Sequence, residues 1–396
     1  MAVAMSHTEL ISNEISVSMS TNQQHINADI SASKEPFLSR SECNIMRGFA
    51  ILFIIVENVT HLFKGVFMDN EFLYKWSAVD GFLNNLTHPD SLLPFNLISF
   101  YCPYGVILFI FLSGYCLTLK YEKGNGRGTS TKSFIGGHYQ KLFVMQLKGL
   151  ALYLFVLFMF YPDEVVPKSI IYQFLLVGNL KPSWQCIPFP YWFFGMIMEM
   201  YVIYRLVIYN RKDWVAIALT VLSVVVMAFF EPTSDKLHYL RLNCFLAIMP
   251  FCMGVLAARH LNGRSLLLDK PATCLTWFAA SFILLTLCKF NFYSWLLLPV
   301  FVVANGVALL KLISRAKLLD RIFGWLGALS CVLFVVHPTV RQVLLLRANE
   351  SGAYALTLLI YLLVTIALSF ALKPLFSWRK HDKPESPNCQ PGLGKR

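Results

Sequence analysis

Apolar residues along this chain gather into long runs broken by short polar stretches. The runs cover residues 45–63, 97–119, 142–161, 190–209, 214–230, 239–258, 272–288, 293–311, 324–346 and 354–376. A hydrocarbon core of roughly 30 Å needs about 20 predominantly apolar residues of helix. The pattern therefore predicts an all-α polytopic membrane protein, a bundle of about ten transmembrane helices. A further apolar run at 170–178 is short and ends in the turn signal GNLKPSW, so it is expected to be re-entrant or interfacial.

Charge placement supports that count. Lys and Arg accumulate on cytoplasmic loops near helix ends. With ten spans and both termini inside, the inner segments carry 18 Lys and Arg against 7 on the outer ones, and a span at 170–178 would break that bias. Composition agrees: 56% of the 396 residues are hydrophobic and only 14% are charged, too apolar for an ordinary soluble domain. The net charge of +12 does not point to nucleic acid, because the basic residues sit in loops and form no stripe with interleaved aromatics. The ten cysteines fall mostly inside apolar runs with no CxxC pair and no metal-ligand spacing, so they read as small buried hydrophobes and no metal is expected. Residues 1–39 are polar, without an apolar h-region or cleavage site, and are expected to be a disordered cytosolic extension; the basic, Pro-rich tail 379–396 is expected to be disordered as well. The membrane domain is then 40–378.

The first run is unusual in its polar content. MRGFAILFIIVENVTHLF, residues 46–63, carries Arg47, Glu57, Asn58 and His61. At 100° per residue, Arg47, Asn58 and His61 share one stripe with Glu57 at its edge. Ionisable groups in a spanning helix are costly unless they face the bundle interior or a wet cavity, which makes function the default reading of Glu57 and His61. Arg47, at the expected cytosolic end, is balanced between function and a side chain that snorkels to lipid phosphates.

These residues carry a resemblance. ECNIMRGFAILFIIVENVTHL resembles the first transmembrane motif of the membrane-bound acyltransferase family 3, whose members include O-acetyltransferases of bacterial surface glycans. Three further segments match in order: YGVILFIFLSGYCLTLKYEK at 104–123, PYWFFGMIMEMYVIYRL at 190–206 and LGALSCVLFVVHP at 326–338. The resemblance covers roughly residues 40–378. It implies ten spans, a bacterial inner-membrane location, an acyl-CoA donor such as acetyl-CoA, and a glycan or lipid-linked sugar acceptor, with membrane lipid as surroundings. The family's first motif has a His where this chain has Glu57 and Asn58. Either His61 takes over one turn later, or Glu57 does the work, or the site has lost activity.

A hydroxyl attacks a thioester sluggishly without a base, and His is the natural one near neutral pH. A carboxylate one turn away orients such an imidazole and stabilises its protonated form, so Glu57 and His61 are the catalytic candidates. Arg47, and with it Lys141 in HYQKLF, suits donor phosphates, although Lys141 reads more simply as a positive-inside loop residue. Ser113, Gly114 and Tyr115 form no GxSxG elbow, because position 111 is Phe111. On resemblance, Ser113 and Tyr115 are expected as site-wall residues; the plainer reading is small-residue packing and an anchoring tyrosine. Trp192 and Glu199 share a helix face and are candidate substrate contacts, Glu199 being equally readable as a buried structural hydrogen bond. His337, before Pro338, is either a packed histidine serving a broken helix turn or a second wet-site histidine. Two other classes stay open: a proton-coupled transporter using Glu57, His61, Glu199 and His337 as a relay, and a non-catalytic acyltransferase-like membrane protein.

Overall fold

The computed structural model describes residues 36–67, 69–101, 104–164, 167–180, 187–261 and 270–376. The two expected disordered termini lie outside the described residues, apart from 36–39.

The regular elements among the described residues are helices. In chain order they are α1 (Arg40–Thr60), α2 (Trp76–Thr87), α3 (Leu93–Phe100), α4 (Tyr104–Thr118), α5 (Thr131–Phe160), α6 (Pro167–Phe174), α7 (Trp192–Ile203), α8 (Asp213–Ala228), α9 (Asp235–Leu242), α10 (Cys244–His260), α11 (Pro271–Cys288), α12 (Phe292–Trp295), α13 (Leu298–Ile313), α14 (Lys317–Ser351) and α15 (Tyr354–Phe376). Each long apolar run of the sequence is largely helical, although the runs 97–119, 239–258 and 293–311 are each divided between two helices.

The number that span is less uniform than the run count suggests. Among the described residues seven helices are long and apolar enough to cross a membrane, or eight if α9 and α10, bent by 43°, are one span. The bend sits at Asn243, whose extended backbone interrupts the helix. The runs at 214–230 and 293–311 correspond to α8 and α13, of 16 residues each. At 1.5 Å per residue each is about 24 Å long, short of a full hydrocarbon core. Only with these two does the number reach about ten. The run at 170–178 gives the eight-residue α6 and a turn, so it does not cross.

Sequence chemistry sets the ends that matter. At the start of α1, the Ser39 hydroxyl accepts the Glu42 N–H at 3.2 Å and the Glu42 carboxylate accepts the Ser39 N–H at 2.8 Å, a reciprocal cap. At the end of α14, Gly352 takes φ 67°, a left-handed conformation that glycine adopts without a Cβ penalty, and its N–H returns to Ala348 O at 2.9 Å.

Helix α1 is the centre of the bundle, packed most extensively on α14 and also on α4. Ile51, Ile54, Ile55 and Val59 enter one core with α7, α10 and α14, while Cys43, Met46, Phe49 and Ala50 enter a second with α4 and α13. The close α1–α14 crossing depends on glycine at both faces: a methyl group at Gly48 would collide with the Phe323 carbonyl, and one at Gly327 with the Asn44 carbonyl. Gly114 and Gly254 serve the α4–α10 crossing in the same way, which accords with the packing reading of Gly114. Large apolar residues such as Phe155, Leu222, Leu284 and Leu363 are exposed on the outward faces of α5, α8, α11 and α15, the arrangement expected where lipid is the solvent.

Candidate active site

The last turn of α1 delivers its polar residues into a cavity of about 330 Å³. Ile54, Glu57 and Asn58 line it from α1 and His61 from the cap at its end, Trp192 and Phe193 from α7, Phe334 and Arg341 from α14, and His238 from α9. The segment between α1 and α2 closes it with Asn70, Glu71, Phe72, Leu73 and Lys75.

Glu57 and His61 form a hydrogen-bonded pair. Glu57 Oε1 lies 2.6 Å from His61 Nδ1, and the main-chain oxygen of Glu57 lies 2.7 Å from the same nitrogen. Two acceptors around Nδ1 place the imidazole proton there and leave Nε2 with the free lone pair. This is the geometry in which a carboxylate fixes the tautomer of a base. Asn58 holds the other carboxylate oxygen, its Nδ2 donating to Glu57 Oε2 at 3.0 Å and to Ile54 O at 2.9 Å. Arg341 donates to Asn58 O and Oδ1. A chain of hydrogen bonds therefore runs from the guanidinium through the amide to the carboxylate, which accepts from the amide on one oxygen and from the imidazole on the other.

The closing segment is held from several sides. Asn70 Oδ1 accepts the N–H groups of Phe72 and Leu73, both at 2.9 Å, an Asx turn. Arg241 Nε donates to Glu71 O at 2.9 Å, and the guanidinium lies over the Trp295 ring. The buried pair Asp69–Lys289, 2.5 Å apart, ties the same segment to the end of α11. Phe72 meets Trp192 edge-on, at 4.7 Å between centroids, and stacks with His238 at 5.7 Å. The result is a rigid wall with aromatic faces and hydrogen-bonding edges.

The expected site residues do not all converge here. Glu57, Asn58, His61 and Trp192 line the cavity. Arg47 is ten residues earlier on α1, about 15 Å along the axis, where its Nη2 contacts Cys116 Sγ at 3.4 Å. Ser113 is on α4 in that same half, donating to Phe109 O. The fully buried Tyr115 hydroxyl accepts the Leu38 N–H at 2.7 Å and donates to Leu38 O at 3.1 Å, which pins the segment before α1. Glu199 accepts from Asn179 Nδ2 and from the Cys244 N–H, the latter at 2.9 Å, so it serves the start of α10. His337 is completely buried, with Nδ1 3.2 Å from Leu333 O, one turn below Arg341. Lys141 is exposed on α5.

Sequence reasoning missed Glu71, His238 and Arg341. For Arg341 a signal existed, since it is an arginine inside the run 324–346 and invites the same argument as Glu57. Glu71 and His238 stand in polar segments where acids and histidines are ordinary. Among the described residues no cluster of three or more His, Cys, Asp or Glu side chains is placed to hold a metal ion. A larger hollow of about 740 Å³ between α8, α10, α11 and α13 is apolar apart from Asp213 and His260, which pair at 2.7 Å at its exposed edge, where Asp213 is also held by Arg259.

No curated protein and no solved structure matches this chain. The family model described as an acyltransferase domain matches residues 40–373, which takes in α1 with its Glu57–His61 pair and reaches almost to the end of α15. The chain is a multi-pass membrane protein that belongs to the acyltransferase-3 family.

Proposed function

We propose that this membrane acyltransferase moves an acyl group, acetyl by the family's habit, from a cytosolic acyl-CoA to a hydroxyl of a cell-surface glycan or lipid-linked sugar. The observation that carries the reading is the Glu57–His61 pair, closed at 2.6 Å and opening into the cavity with Nε2 unengaged. His61 takes the proton from the attacking hydroxyl, Glu57 balances the imidazolium that forms, and Asn58 with Arg341 keeps Glu57 aimed. The aromatic faces of Trp192 and Phe72 and the polar edges of Asn70 and His238 suit a sugar, which presents apolar ring faces and a rim of hydroxyls.

Position along α1 supports separate ends for the two substrates. Arg47 stands about 15 Å from Glu57 and about 21 Å from His61 along the axis, at the end that the distribution of Lys and Arg assigns to the cytosol. A guanidinium there suits the donor's phosphates. Lys141 stays as an exposed candidate on the same side. Both termini are proposed to be cytosolic, in a bacterial inner membrane.

The test is transfer of labelled acetyl from acetyl-CoA to glycan in membranes containing the protein, with Arg47→Ala and His61→Ala expected to be inactive. Full activity in His61→Ala removes the proposed base. Proton flux in proteoliposomes without any acyl donor would favour a transporter instead.

A further inference from the structure

The cavity holds a second carboxyl that the proposed chemistry has not used. Glu71 is buried, lines the same cavity as Glu57, and sits on the segment most heavily anchored around it. Arg241 fixes Glu71 through its main-chain oxygen, not its carboxyl. The two acids are close enough to repel one another electrostatically. In one small cavity, two neighbouring carboxyls do not both ionise easily. Asn58 and His61 both donate hydrogen bonds to the Glu57 carboxyl, which leaves Glu71 as the acid placed to carry a proton.

Resting on the reading of the cavity as an acyl-transfer site, we propose that Glu71 is a proton-bearing acid that donates a hydrogen bond to the carbonyl oxygen of the acyl group. Attack by the acceptor hydroxyl forms the new C–O bond and moves the carbonyl electron pair onto oxygen, where Glu71 O–H stabilises it without giving up its proton. The hydroxyl proton goes to His61. Collapse restores the carbonyl, breaks the C–S bond, and the sulfur leaves with that electron pair and takes the proton from His61. Thioester and alcohol become ester and thiol, with no other reactant.

Burial, with the Glu57 carboxylate adding to it, pushes the Glu71 carboxyl up to about 8, so the protonated form prevails at neutral pH. The charged or titratable groups around it are Glu57 and His61 of α1, His238 and Arg241 of α9, Arg341 of α14, and Asp69 and Lys75 of its own segment.

Two measurements on the full-length protein in proteoliposomes test this. Infrared titration between pH 5 and pH 10 is expected to show one protonated-carboxyl band disappearing near pH 8 in the parent and missing in Glu71→Gln. Absence of that band, or its persistence in the variant, overturns the proposal whether or not transfer is detected. In the transfer assay, Glu71→Ala is expected to lower kcat by about 10²–10³-fold with little change in KM. Glu71→Gln, whose amide still donates, is expected to keep most of the rate and lose the alkaline fall above pH 8. Equal losses in the two variants, or an unchanged alkaline limb in Glu71→Gln, refute a donor role. If Glu71→Ala does not fold, the Glu71→Gln profile decides alone. A parent that carries the band but transfers nothing overturns the acyl-transfer reading and the donor role together, and leaves only the protonated acid.

Discussion

Arg341 Nη1 lies 3.1 Å from the main-chain oxygen of Asn58 and 3.2 Å from its side-chain oxygen, so one guanidinium nitrogen of α14 grips one residue of α1 twice. Asn58 Nδ2 is thereby turned toward Glu57. Arg341→Ala frees the amide to rotate, and a small displacement of a catalytic group lowers rates by about 10²-fold. The expected result is that loss in kcat with acceptor KM little changed. Arg341→Lys is expected to restore part of the rate, because both contacts come from one nitrogen and an ammonium can offer the same donors and charge from a more flexible stem. A fully active Arg341→Ala removes the alignment argument.

His61→Ala removes the proposed base, with an expected loss of about 10²–10⁴-fold in kcat. Glu57→Gln keeps an acceptor beside Nδ1 but not its charge, so the loss is smaller than in His61→Ala. Glu57→His places a second imidazole where the carboxylate orients the first, and is expected to lower transfer. A rise in activity with Glu57→His would instead show that the parent pair is a weakened form of the family's site.

At the α1–α14 crossing the prediction concerns stability. Gly48→Val forces the helices apart against the Phe323 backbone, and overpacking of this kind costs about 1–3 kcal/mol. Gly324→Ala, also on α14, meets open space and is expected to be neutral. Thermal unfolding in detergent separates the two; equal midpoints would mean that the crossing relaxes without strain.

The Asp69–Lys289 pair is buried on both sides, each side chain 4% exposed. Asp69→Ala leaves the Lys289 charge without its counterion, and breaking a buried pair from one side costs about 3–5 kcal/mol. Changing both, Asp69→Leu with Lys289→Met, is expected to recover much of that. The recovery is read by comparing the melting temperatures of the single and double variants.

A pH dependence of stability follows from Glu71. Its folded carboxyl is held up to about 8, above the ordinary 4.5. The folded state therefore keeps a proton that the unfolded state has released, and the stability this contributes is complete below pH 4.5 and lost as pH rises through 8. Glu71→Gln is expected to flatten the slope of melting temperature between pH 6 and pH 9. An unchanged slope would assign the dependence to another group.

Sequence by itself determined the class of the molecule and its main helix positions. Runs of about 20 apolar residues have no stable alternative in lipid. The polar turn Glu57–His61 was legible for the same reason, because ionisable groups inside such a run stand out against it. Pairing of Glu57 with His61 follows from an i,i+4 step on one helix, a purely local relation. What only the tertiary structure decided was the company those residues keep. Arg341 is hundreds of positions away in sequence and reaches Asn58 only because Gly48 and Gly327 let α1 and α14 touch. Glu71 enters the cavity through anchors on α3, α9 and α11, each too ordinary in sequence to announce its target. Ser113, Tyr115, Glu199 and His337 belong to the matched motifs, yet they point to backbone groups of their own surroundings and not into the cavity. A helix face is fixed by its periodicity, but which face meets which neighbour is settled by packing.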